Sequence, residues 1–191
     1  MNSAPNIQSS NLTLDDYLQT PAGPPWFELI EGRLIQEPSP TSDHQSIALE
    51  LMLSLGTYLK AHSIGRLLPA PMDVYLGPTN VLQPDIAIVL KHRENLITRR
   101  AIEGPPDLVV EILSPSNWKL DCGPKRSIYE RAGVRVLWIV DPKGRTIDSY
   151  RFAASGSAAP EIQTWRDGDT ITEPILPEFS VPVAEIFQHL R

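Results

Sequence analysis

Glu111 lies in the run Leu108-Val109-Val110-Glu111-Ile112-Leu113, whose apolar side chains fall on both faces of an extended chain and so predict a buried strand. A carboxylate there costs on the order of several kcal/mol unless a positive group meets it. Further on, Lys125, Ile128, Tyr129 and Ala132 recur at helical spacing, which puts the lysine on the apolar face of a helix while Arg126, Glu130 and Arg131 point elsewhere. By residue type alone, Glu111 and Lys125 fit a structural ion pair and a reactive charged site equally well. A second acid, Asp85, follows Pro84 at the start of the apolar run Ile86 to Val89, a position where aspartate more often only opens a strand.

The elements that would position these groups follow from the pattern around them. The Lys125 helix begins near Gly123 or Pro124, after a loop rich in Ser, Pro and Asn, and stops at Gly133. Val136 to Val140 is the next strand, closed by a turn at Asp141 to Gly144. Upstream, Thr13 and Asp16 form a capping box for a short helix, and Glu31-Gly32 turns a hairpin between Phe27 to Leu29 and Leu34-Ile35. A long helix starts with Ser42 as N-cap and Gln45 completing the box; Ile47, Ala48, Leu51, Leu55 and Leu59 form its stripe, with His44 one turn earlier, and it ends between His62 and Gly65. Strands are predicted at Met72 to Leu76 and Leu82 to Leu90, a helical turn around Leu96 to Ile102, and antiparallel strands at Thr146 to Phe152 and Ile162 to Trp165. A Pro-punctuated tail ends in an amphipathic turn at Val183 to Leu190, and residues 1–11 are expected to be flexible.

A chain of 191 residues suits a single domain, 1–191, with a real core. No apolar run approaches the ~20 residues that span a bilayer, so no membrane partner is expected, and no signal peptide is evident at the N-terminus. The single cysteine, Cys122, excludes an internal disulfide and a Cys-based zinc cluster, which suits a cytoplasmic protein. A net charge of −6 argues against wholesale electrostatic wrapping of nucleic acid. The local basic groups at Lys91 to Arg93, Arg99-Arg100, Lys119 and Lys125-Arg126 read more readily as solvated faces than as a phosphate-tracking groove.

Taken together, the FELIEGRLI hairpin, the helix opening with His44, the QPDIAIV and PPDLVVEILSPS strands, the K-x-x-x-Y helix before GVRVLWIVDP and the closing ILPEFSVPVAEIF cover nearly the whole chain. In these pieces it resembles the PD-(D/E)XK, or restriction-endonuclease-like, superfamily, and within it the Uma-type endonucleases. The resemblance implies an α/β (α+β) fold: a mixed central β-sheet flanked by helices, an N-terminal hairpin and C-terminal antiparallel strands. It implies a metal-dependent endonuclease hydrolysing DNA phosphodiester bonds, a homodimer by analogy with enzymes that cut two strands. Asp85, Glu111 and the Ile112 carbonyl would be ligands of Mg²⁺ or Mn²⁺, hard ions that carboxylates suit. Lys125 would orient water or stabilise the pentavalent transition state. The superfamily's lysine two positions after the glutamate is Leu113 here, a departure the Uma-type branch shares by placing its lysine on the following helix; Val136-Leu137 replaces a usual Glu-Tyr pair.

Four accessory residues have bland readings beside functional ones. His44 reaches the site from its helix or is a hydrogen-bonded core histidine; Glu31 and Asp73 add ligands or are solvated at a turn and a strand start. Tyr129 is packing with a satisfied hydroxyl, or a contributor to the site. Asp107 reads as a strand-opening residue. The missing lysine at 113 and the acidic charge motivate an alternative, a catalytically inactive nuclease fold that binds nucleic acid or a protein partner. A third reading makes the Glu111 and Lys125 pair a purely structural pin.

Overall fold

The computed structural model describes residues 7–8, 11–21, 23–114, 121–153 and 158–190. The loop expected before the Lys125 helix, with Lys119, falls largely outside these residues, as does the side chain of Cys122.

Among the described residues, fourteen strands run in chain order: β1 (Ile7–Gln8), β2 (Phe27–Ile30), β3 (Arg33–Gln36), β4 (Gly65–Pro69), β5 (Asp73–Tyr75), β6 (Val81–Leu82), β7 (Ile86–Leu90), β8 (Ala101–Glu103), β9 (Leu108–Ile112), β10 (Val136–Asp141), β11 (Thr146–Arg151), β12 (Glu161–Trp165), β13 (Thr170–Glu173) and β14 (Leu176–Pro182). The α-helices are α1 (Leu14–Tyr17), α2 (Ser42–His62), α3 (Arg126–Ala132) and α4 (Val183–Ile186).

The main sheet has the order β12-β11-β10-β9-β7-β4. Its parallel pair, β9 with β10, needs a crossover connection, which α3 supplies. Even-numbered residues of β7, β9 and β10, including Ile86, Ile88, Val110 and Trp138, pack under the α2 stripe of Ile47, Leu51, Leu55 and Leu59. Odd-numbered ones, including Ala87, Val109 and Leu137, pack against Ile128 and Tyr129 of α3. Residues buried on both sides explain the near-continuous apolar runs. The fold is the mixed α+β arrangement expected, with the β2–β3 hairpin and the antiparallel strands β11 and β12 in place.

Several elements differ from the sequence reading. A second sheet of order β1-β3-β2-β6-β5-β8 lies beside the first. The strand expected from Leu82 to Leu90 is two strands in different sheets, because Gln83-Pro84-Asp85 carries the chain from one to the other. The helical turn expected near Leu96 to Ile102 lies earlier, as a 3₁₀ turn at Lys91–Leu96, and Ala101–Glu103 is β8. Thr41, not Ser42, caps α2 with its hydroxyl accepting from the His44 N–H. Within the 1–11 stretch, Ile7 and Gln8 pair with Ile35 and Leu34 instead of lying loose. At the β2–β3 turn both Glu31 (φ 48°) and Gly32 (φ 76°) are left-handed, the backbone of a tight two-residue hairpin.

Candidate active site

Register brings the two acids together. β7 and β9 are antiparallel with Ile86 opposite Val110, so one step further sets Asp85 opposite Glu111, and residues directly opposite share a face. The Asp85 Oδ2 accepts the Ile112 N–H at 2.7 Å, while His44 Nε2 lies 3.1 Å from Oδ1. His44 can reach because it occupies the first turn of α2, where the helix starts over the sheet end.

Lys125 ends a π-helical turn, Asp121–Lys125, that runs directly into α3. Its ammonium is buried, 2.8 Å from Glu28 Oε2, 3.5 Å from Glu111 Oε2 and 4.0 Å from Glu37 Oε1. Glu28 comes from β2 in the second sheet; it is fully buried, and its other oxygen accepts the Gln83 N–H at 2.7 Å. Lys125 thus ties a carboxylate of each sheet to one point. Tyr129, one turn along the same helix face, donates its hydroxyl to Glu111 Oε1 at 2.5 Å. Burial, reinforced by the Glu111 charge and only partly opposed by Lys125, holds that phenol protonated well above the usual tyrosine range.

These groups open onto a cleft of about 240 Å³ lined by Glu37, His44, Gln83, Asp85, Glu111 and Lys125, with Ile112 and Ser114 at its wall. Asp85, Glu111 and Lys125, far apart in the chain, therefore share one cavity, with His44 and Tyr129 holding the acids. Among the described residues, no three His, Cys, Asp or Glu side chains are grouped as a ready-made metal cluster. The donor set still fits a hard cation that keeps most of its water, since Mg²⁺ usually takes only one or two protein carboxylates. Glu37, Asp85 and Glu111 face the cleft with Glu28 behind, and among the described residues Lys125 is the lysine that lines it.

Two accessory candidates stand elsewhere. Glu31 is exposed at the hairpin tip, 2.9 Å from Arg131, because the left-handed turn aims it away from the cleft. Asp73 lies in an adjoining depression, hydrogen-bonded to Tyr17 and Gln83. Asp107 is more than a strand opener: fully buried, it takes the Leu90 N–H at 2.8 Å and sits 3.1 Å from Arg93. Leu113 packs into the apolar cluster with Val109, Tyr129 and Leu137, while the ammonium arrives from α3. Glu28 was missed by the sequence reading, although it carries the signal that identified Glu111, an acid flanked by Phe27, Leu29 and Ile30 in a strand.

Residues 14–184 match the Uma2 family, described as "Putative restriction endonuclease". The chain belongs to the Uma2 family. A crystal structure from Anabaena variabilis ATCC 29413, described as a "putative nuclease belonging to DUF820", is 25% identical and superposes with a TM-score of 0.77 over 93% of this chain and 98% of its own. No curated protein matches the chain. The Uma2 match spans every cleft residue named above, from Glu37 to Lys125, and Glu28 behind them.

Proposed function

We propose that this Uma2 protein is a metal-dependent endonuclease that hydrolyses phosphodiester bonds in DNA. The observation that carries the reading is the convergence of Asp85, Glu111 and Lys125 on one cleft, from the connector just before β7, from β9 and from the π-helical turn just before α3. Asp85 and Glu111, with the Ile112 carbonyl, would hold Mg²⁺ or Mn²⁺. When bound, such an ion lowers the pKa of its water and relieves charge on the phosphoryl oxygens.

The chain's own residues account for the rest. The Ile112 N–H and His44 fix the Asp85 carboxylate, and Tyr129 fixes that of Glu111, so neither has to be ordered when substrate arrives. Lys125, held by Glu28 against the cleft wall, orients the attacking water and offsets negative charge as the bond from phosphorus to the leaving oxygen breaks. His44 and Tyr129 are positioning residues in this scheme. By analogy with enzymes that cut both strands, the working form is a homodimer, which sedimentation showing only monomer would rule out.

The test is incubation of single- and double-stranded DNA with Mg²⁺ or Mn²⁺, comparing the intact protein with Glu111→Gln and Lys125→Ala after circular dichroism has shown each to be folded. Intact protein cleaves; each variant loses about 100-fold or more. Activity surviving both substitutions defeats the residue assignment. Calorimetric titration with Mn²⁺ separates the non-catalytic alternative, which has no need to bind a divalent ion at these carboxylates.

A further inference from the structure

The Asp85 cleft continues past its own wall. Trp26, Pro71 and Gln83 line it and also line a second depression of about 190 Å³, whose other walls include Tyr17, Asp73 and Arg100. This is smaller than the roughly 300–1,000 Å³ usual for drug-sized ligands and is on the scale of one planar ring system. We propose that this depression is a subsite for a single nucleobase next to the bond being cut, with Trp26 stacking on its face, Asp73 accepting from its edge and Arg100 meeting the backbone outside.

The inference rests on the nuclease reading above. Trp26 is 41% exposed, a large aromatic surface left uncovered at the junction of the two depressions. Its main chain is anchored, since the Trp26 carbonyl accepts the Glu37 N–H at 3.0 Å beside the β2–β3 hairpin. An exposed indole on an anchored main chain suits sequence-tolerant stacking of a base. The floor is acidic, which disfavours a phosphate there and favours a group bearing N–H donors. Tyr17 at 2.9 Å and Gln83 at 2.7 Å both donate to Asp73 Oδ1, fixing the carboxylate while Oδ2 keeps its acceptor capacity. A carboxylate accepts from the exocyclic amine of cytosine, where thymine presents a carbonyl, so cytosine is favoured over thymine. Arg100, exposed at the rim, supplies the positive charge that the floor lacks. Gln83 couples the two depressions, its side chain on Asp73 and its main-chain N–H on Glu28 behind Lys125.

The experiment measures, by fluorescence anisotropy in EDTA, the affinity of the full chain for labelled oligo-dC, oligo-dT and an abasic oligomer of equal length, with Mg²⁺-dependent cleavage followed in parallel. Wild-type protein binds oligo-dC about tenfold more tightly than the abasic strand, with oligo-dT between them. Trp26→Ala erases the difference between base-bearing and abasic strands and Trp26→Phe retains most of it. Asp73→Asn removes the preference for dC over dT, and Arg100→Ala weakens all three alike. Equal binding of base-bearing and abasic strands by the wild type, or a full difference in Trp26→Ala, overturns the subsite while cleavage by the wild type leaves the nuclease reading standing. A wild type that neither binds nor cuts any strand overturns both.

Discussion

Replacing Lys125 with methionine keeps a chain of similar length in its slot and removes the ammonium from between two buried acids. Glu28 is fully buried and Glu111 is 3% exposed, so neither carboxylate can recover the lost partner from water. Breaking a buried pair from one side typically costs about 3–5 kcal/mol, because a charge is left uncompensated. Against a total stability of about 5–15 kcal/mol, the variant should still fold. With a urea slope of about 2 kcal/mol per molar, the unfolding midpoint falls by roughly 1.5–2.5 M. Neutralising one of the stranded acids should restore part of this, so Lys125→Met combined with Glu28→Gln is expected to be more stable than Lys125→Met alone. Urea melts followed by circular dichroism at neutral pH measure the four proteins of the cycle: the wild type, Lys125→Met, Glu28→Gln and the double variant. A single variant within 1 kcal/mol of the wild type, by the same melts, would show that the acids are not buried against this lysine; a double variant showing simple additivity would show that Glu28 and Lys125 do not act on each other.

Tyr129 gives the fold an alkaline weakness. Its folded-state pKa is raised, so above about pH 10 the unfolded chain loses a proton that the native state keeps, and stability present below that pH falls as pH rises toward the folded value. Each such group adds about 1.4 kcal/mol per pH unit to the slope; Tyr17, raised by burial and by Asp73, acts in the same direction. Tyr129→Phe should flatten the dependence of stability on pH between 10 and 11 by one group's share, and an unchanged slope in urea melts would refute the assignment. Asp107→Asn is expected to destabilise by about 2–4 kcal/mol, since it weakens the acceptor of the Leu90 N–H and the ion partner of Arg93 and Arg135. Chemical denaturation checks it, and a change under 0.5 kcal/mol would contradict the burial seen here.

Much of the positioning was legible because it depends on one-dimensional periodicity. The stripe of α2, the run of β9 that is apolar except for Glu111, and the helical spacing from Lys125 to Tyr129 each state which way a side chain faces. What escaped was settled by three-dimensional exchange between sheets. Leu82 to Leu90 reads as one strand because nothing local says that Gln83 and Asp85 serve different sheets. Glu28 was overlooked because alternation in a hairpin strand allows an acid to face water, and only Lys125 arriving from α3 decides otherwise. The β13–β14 pair hid behind Pro174, Pro177 and Pro182, which are tolerated where a missing N–H faces away from a ladder. Helix α2 was found with its cap displaced by one residue, since Thr41 and Ser42 are both competent N-caps.

The passage of the chain between the sheets at Gln83-Pro84-Asp85 makes this short connector a spacer of fixed length. Its first residue is fastened to Glu28 on one side and its last to Ile112 on the other. Adding or deleting a single amino acid there would invert the parity of whatever lies downstream, sending the acid to the opposite surface of the ladder or else tearing away the fastening behind the lysine. Substituting Gln83 keeps its main-chain fastening, whereas a change in the length of the bridge dismantles the cleft without replacing any of the charged groups that furnish it.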